Sequence, residues 1–397
     1  MLACERAAHA CGGCFHPVEN PTVVTDHRMV LSISQDQSTL YDQIEYTGSP
    51  SSFAWVLPVM GTVDVGVGAD TVFSILDART ATRITPPPSQ CPPPPPCATL
   101  DAGSNVGAPG VDVVRRQVVG PYESVQIHPQ DPTDAKAVGD WLANSGFVLP
   151  PDVAPIVQAY VSEGFDFLAL KLLPNATVKS MRPVRVTTHG ASATLPLRMV
   201  AAGSGAKLGI TLWVIAEGRY QPQSFPFFHI ETSDVVWDWS ATKSNYTELR
   251  AAHVDEWEIE CSVNIGLQEI NPADSDYDPF VPDGGAAETA AQAHRDDIAT
   301  LFHGISATAR VTRVRADLSR ASLAKDLTLV ASPEQIELSN LRQLAREVNT
   351  PPCPTYAVCS GDGDGESFTC AAGSRSSPYA WLVASFMAVA AAARRRR

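Results

Sequence analysis

The stretch MVLSISQDQSTLYDQIEY, Met29 to Tyr46, decides the fold class. A polar break, QDQS, divides it into two apolar-rich runs. In the second run Leu40, Ile44 and Tyr46 share one face under period-2 alternation, the pattern of a half-buried strand. FAWVLPV, Phe53 to Val59, reads as a third strand, and Pro58 places it at an edge or a bend because proline donates nothing to a ladder. DTVFSILDAR, Asp70 to Arg79, is the first helix, with Val72, Ile75 and Leu76 on one face and Asp70 at its start.

Outward from there the pattern repeats. PYESVQI, ending at Ile127, follows a Gly120-Pro121 turn and a strand at VDVVRRQVV. DPTDAKAVGDWLANSGF carries helix-start signals at Asp131, Pro132 and Asp134 and stops at Gly146. PDVAPIVQAYVSEG is a second short helix, and FDFLALKLL is a buried strand. Further strands are expected at residues 182–187, 194–200, 208–216, 227–231 and 235–239. NYTELRAAH reads as helical, EWEIECSVNI as a strand and AAETAAQAHRDDIATLF as a helix. ATARVTRVRADL and KDLTLVAS read as a final strand pair. Short strands with a few helices between non-alternating runs predict an α+β fold of largely antiparallel sheets.

The composition bounds the function. Among 397 residues the charged fraction is 18% and the net charge is -14, which disfavours nucleic acid and anionic lipid as partners. There are nine cysteines. A cut after Ala10 removes Cys4 and leaves an even set, Cys11, Cys14, Cys91, Cys97, Cys261, Cys353, Cys359 and Cys370, as disulfide candidates for an oxidising compartment. The run CPPPPPC holds Cys91 and Cys97 roughly 18 Å apart in polyproline II geometry, too far to pair with each other.

The two ends point to export. Ala8-His9-Ala10 is a small-x-small cleavage pattern, but Met1–Ala7 has neither a basic region nor an apolar run. Two explanations compete, an ordinary cytosolic start and a signal whose front lies upstream of the stated start, and the family resemblance below favours the second. Tyr379 to Ala393 carries no charge and runs into Arg394–Arg397, a transmembrane-like helix with a stop-transfer pattern that keeps the C-terminus cytoplasmic. The chain is thus expected to divide into a signal remnant at 1–10, a β-rich part at 11–85, a proline-rich insert at 86–110 and an α+β part at 111–268. A helix plus strand pair at 269–350, a Cys/Gly-rich linker at 351–377 and a C-terminal membrane anchor at 378–397 follow.

Several of these segments resemble a known family. FAWVLPV, VGPYESVQI, DWLANSGF, ITLWVIAEGR and NYTELR, in this order, are similar to the bacterial domain of unknown function 2330. The Ala10–Gly13 tetrapeptide matches the family's Ala-Cys-Gly-Gly after its secretory signal. The resemblance implies an envelope location and a shared fold, and assigns no chemistry. The linker, Cys370, apolar helix and arginine run resemble the C-terminal sorting tails of myxobacterial surface proteins.

Candidate sites are few. Cys11 and Cys14, at C-x-x-C spacing, favour a structural disulfide over a metal or redox site. His16 and His27 are near in sequence, but no second pair of ligands at zinc spacing follows. Ser204 and His189 both read as turn residues and could join an aspartate in a triad only through the fold. Asp274, Asp276 and Asp278 have EF-hand spacing, but Pro279 and Gly285 stand where glycine and glutamate belong. Trp237 and Trp239 share a sheet face and read as packing residues.

These features lead to the expectation of a secreted, membrane-anchored envelope protein acting as a non-catalytic binding or structural module. The membrane, through the C-terminal helix, is its one assigned partner. No catalytic residue, cofactor or metal site is assigned. The alternatives are an envelope hydrolase with a triad such as Ser204, His189 and an aspartate, or a calcium-dependent adhesin using the Asp274 loop.

Overall fold

The computed structural model describes residues 14–15, 23–47, 54–88, 122–129, 136–147, 149–172, 182–201, 204–270 and 284–353. All of these except Cys353 belong to one compact unit, Met1–Gln90 with Asn105–Pro352.

The principal strands are β1 (Cys14–Phe15), β2 (Val23–Ile33), β3 (Gln37–Thr47), β4 (Ala54–Val59) and β5 (Val63–Val67), followed by helix α1 (Asp70–Thr80). Then come β6 (Tyr122–Ile127), α2 (Lys136–Asn144), α3 (Ala154–Ser162), β7 (Asp166–Leu172) and β8 (Val184–His189). The last are β9 (Ser204–Ala216), β10 (Phe227–Phe228), β11 (Trp257–Gly266), α4 (Gly284–Leu301) and β12 (Thr308–Ser319).

An eight-stranded sheet runs β10-β11-β12-β9-β2-β3-β8-β5, and a four-stranded sheet runs β1-β4-β7-β6. Pairing is antiparallel except between β9 and β2 and between β10 and β11. Alternation explains how the sheets stack. Met29, Leu31 and Ile33 of β2 face Trp55, Leu57 and Val59 of β4 in a core between the sheets. Val30, on the opposite face of β2, packs with Trp213, Ile215 and Val311 against Phe73 and Leu76 of α1 and Ile298 and Leu301 of α4. Ala54 and Val56 turn away from the large sheet toward Val138 and Leu142 of α2 and Val157 and Val161 of α3. The result is four layers: helices, small sheet, large sheet, helices. A strand covered on both faces has no polar side, which is why FAWVLPV reads as an unbroken apolar run.

Pro58 sits within β4 opposite Phe167 of β7, beyond the two residues that β1 covers. The strand is an edge at that point, so the missing N–H costs no ladder bond there. The α+β, mostly antiparallel expectation holds for the described residues, with three corrections. Residues 194–200 are not one strand: Pro196 ends a two-residue strand and the helix Leu197–Ala201 follows. The last two predicted strands do not pair. β12 lies between β11 and β9, whereas Leu327–Ala331 joins Thr194–Leu195 and Tyr220–Pro222. Finally, no helix among the described residues is long and apolar enough to cross a membrane. The longest, α4, carries Glu288, Arg295, Asp296 and Asp297.

The expected membrane anchor, cytoplasmic C-terminus, envelope location and membrane partner therefore gain no support and are set aside; Tyr379–Arg397 and the supposed signal remnant lie outside the described residues. The disulfide-braced body is corrected too: Cys261, one of the disulfide candidates, is a free, buried thiol. Cys353, where the described chain ends, is disulfide-bonded.

Candidate functional site

The predicted triad does not assemble. Ser204 of β9 is in register with Val24, which pairs with Tyr46, whereas His189 pairs with Gln37 at the other end of β3. Nine steps along that strand separate the two positions by about 30 Å. Asp274, Asp276 and Asp278 lie outside the described residues, as do Cys11 and His16. Cys14 lies in β1, in register with Trp55. Among the described residues no group of three His, Cys, Asp or Glu side chains could hold a metal. Trp237 and Trp239 meet edge to face at 6.1 Å, and Trp239 donates its indole N–H to Glu347 at 2.6 Å.

Three buried polar centres occupy the core instead. The first lies between strands β2 and β3, where His27 Nδ1 is 2.9 Å from Asp42 Oδ1, with both residues buried. Nε2 has no hydrogen-bond partner. The pair is thus a base with its orienting carboxylate, without a nucleophile at bonding distance.

The second centre lies on the outer face of β11 and β12. Arg313 binds Glu260 and reaches Asp77 of α1 at 2.7 Å, its guanidinium 5.1 Å from the Trp213 ring. Arg342 donates to the carbonyls of Ile230 and Glu260 and lies over Tyr246. Tyr246 donates to Glu258 at 2.5 Å. Burial raises the Glu258 carboxyl above its ordinary range and pushes the Cys261 thiol up to about 12, so the thiol is a poor nucleophile and donates to the Thr80 carbonyl.

The third centre is a clamp on α1. Asp297 of α4 accepts from the Ala69 N–H at 2.6 Å and from the Tyr41 hydroxyl at 3.0 Å, with Arg185 3.5 Å away. Gly68 is required here, since a Cβ would sit 2.7 Å from the Tyr41 ring. Burial lifts the Asp297 carboxyl to about 6. A folded pKa above the unfolded value of roughly 4 means that the native state binds the proton more tightly, so stability falls as pH rises from about 4 to about 6. The Asp297→Asn variant lacks this term. Its stability relative to the parent is expected to rise by roughly 2 kcal/mol between pH 4 and pH 7, read from urea unfolding at each pH.

One buried arginine differs from those already described. Arg198, for comparison, binds both Asp326 and Glu163 and stacks on Tyr160. Arg219, in the turn after β9, is only 6% exposed. Its side chain makes no hydrogen bond and no ion pair among the described residues, and its Nε is sealed from solvent without a partner. Its main chain is held by Gln335, whose side-chain oxygen accepts the Arg219 N–H at 2.7 Å. Arg310, at the start of β12, is tied to the same loop by donating to the Gln335 carbonyl at 3.4 Å and to the Ser262 carbonyl at 3.2 Å. Burial and the neighbouring Arg310 hold the Arg219 pKa below its ordinary value, against the pull of Glu334. The Gln335 loop thus holds Arg219 by its main chain and Arg310 by its guanidinium, and Glu334 is the acid that acts on the Arg219 side chain.

Comparison with known proteins identifies the lineage and leaves this site unassigned. The model of a family described as an uncharacterized protein conserved in bacteria (DUF2330) matches residues 5–329. The chain belongs to the DUF2330 family. No curated protein and no solved structure matches it. The DUF2330 match stops before the C-terminal tail, so the likeness to a surface-sorting tail finds no support there. Within the DUF2330 region lie both arms of the His27–Asp42 pair and both Arg219 and Arg310. Neither set was expected from sequence. Asp42 is fifteen residues from His27, and Gln335 is 116 residues from Arg219, with no motif linking either pair.

Proposed function

We propose that this DUF2330 chain is a recognition protein that binds a small anionic group at Arg219 and Arg310. The observation that carries this reading is the Arg219 side chain, 6% exposed, whose Nε is buried without a hydrogen-bond partner and which makes no ion pair among the described residues. Withdrawing a cation from water costs several kcal/mol, and a buried arginine is ordinarily offset by an acid or by carbonyls. Arg313 and Arg342 are offset in this way, and Arg219 is not. An oxyanion at Arg219 would supply the missing acceptors, through the planar fork that suits carboxylate and phosphate. Gln335 fixes the Arg219 main chain and receives Arg310, so the site is organised before a ligand arrives.

The test is titration of the protein with sodium acetate at fixed ionic strength, following the Arg Nε–Hε resonances by NMR. Saturable shifts of the Arg219 signal are expected, and Arg219→Gln should abolish binding. An Arg219 signal that does not move, or equal binding by the variant, overturns the reading.

A further inference from the structure

Strand register builds a second polar patch on the outer face of the large sheet. There β9 lies between β2 and β12, and Thr211 is paired with Arg28 on one side and with Arg315 on the other. Directly paired residues point to one face, and Val30 and Trp213, two residues further on, show that this face is the α1 side. Two residues back along β9, Gly209 is paired with Asp26 and with Asp317. Two arginines thus flank Thr211 and two aspartates flank Gly209, in rows roughly 7 Å apart.

The rows do not neutralise each other. Arg28 donates to the Phe73 carbonyl and to the Gln43 side-chain oxygen, both at 3.3 Å and both neutral acceptors. The Arg315 side chain makes no ion pair among the described residues, and Glu258, its partner in β11, accepts from the Tyr246 hydroxyl. The Asp26 carboxylate lies over Gly209, where a Cβ would sit 2.1 Å from Oδ1. Asp317, its side chain 47% exposed, has Arg250 at 3.8 Å. The register is also broken at this point, between Val24 and Asp26 in β2 and between Ser204 and Gly209 in β9. Such bulges re-aim side chains and are over-represented beside active sites.

Independently of Arg219, which lies beyond the far end of β9, we infer that this patch binds a small ammonium carboxylate. Its carboxylate lies over Thr211 between Arg28 and Arg315, and its ammonium over Gly209 between Asp26 and Asp317. A lone anion or a lone cation satisfies one row, whereas a zwitterion satisfies both with charge-assisted hydrogen bonds. An α-amino acid and an ω-amino acid share this chemistry.

The experiment follows the Nε–Hε resonances of Arg28 and Arg315 by NMR in the full chain, during titration with glycine, 4-aminobutyrate, acetate and methylammonium at constant ionic strength. At least one zwitterion should shift both signals saturably and bind at least about tenfold tighter than acetate or methylammonium, the scale of one charge-assisted hydrogen bond. Tighter binding of glycine identifies an α-amino acid as the source, and tighter binding of 4-aminobutyrate an ω-amino acid. Arg315→Gln should abolish the shift at Arg28. Asp317→Asn, a change at an exposed side chain, should remove the advantage of the zwitterion over acetate. Unmoved signals, equal binding of zwitterion and acetate, or an advantage that survives in Asp317→Asn would each overturn this inference. The Arg219 signal in acetate decides the anion-binding reading separately.

Discussion

Replacing Arg313 by alanine is expected to destabilise the protein by about 3–5 kcal/mol, the scale found when one partner of a buried ion pair is removed. The change strands Glu260, which is 3% exposed, and frees Asp77 of α1. It also removes the guanidinium from the face of Trp213. Urea unfolding should show a lower midpoint with an unchanged slope. Adding Glu260→Gln should recover part of the loss, because the stranded charge disappears with it. A cost below about 1 kcal/mol would mean that the network behaves as a surface pair does.

Arg219→Met is expected to have the opposite sign. Methionine keeps the length and flexibility of the side chain and removes a largely buried cation whose Nε has no hydrogen-bond partner. In buffer free of binding anions the variant should be more stable than the parent by roughly 1–2 kcal/mol, the range seen when a residue kept for function is replaced. Its affinity for acetate should vanish. Gain of stability with loss of binding is the mark of a site held in readiness for a ligand, whereas a structural arginine would show a loss of stability. A lower urea midpoint for Arg219→Met would therefore argue against the site.

Much of the fold is legible in local patterns. The alternation after QDQS places Leu40 and Ile44 against the inter-sheet core and Tyr41 on the other face, as period 2 requires. The apolar run at β4 is buried on both faces because two layers cover it. Pairings made across long stretches of chain are not legible. Nothing near Leu327 shows that it joins Thr194 rather than β12, and nothing near Ser204 announces a parallel partner in β2. Pro196 was the local signal that residues 194–200 would not stay extended.

The candidate site was illegible for a related reason. AEGRY reads as a solvated polar turn, and Arg219 becomes special only because the loop at Gln335 folds over it and brings Arg310 close. The sequence offered Ser204 with His189 only as an alternative, and the register of β3 holds the two far apart. The composition of the two ends pointed to a membrane anchor; those ends lie outside the described residues, and among the described residues no helix is long and apolar enough to cross a membrane.

The central claim, that Arg219 awaits an anion, is tested most directly by thermal unfolding in increasing acetate at constant ionic strength. A ligand that binds only the native state raises stability by about 1.4 kcal/mol for each tenfold increase in concentration beyond its dissociation constant. The melting temperature of the parent protein should climb accordingly, and that of Arg219→Gln should stay level. A flat parent curve, or parallel rises in both proteins, would contradict the claim.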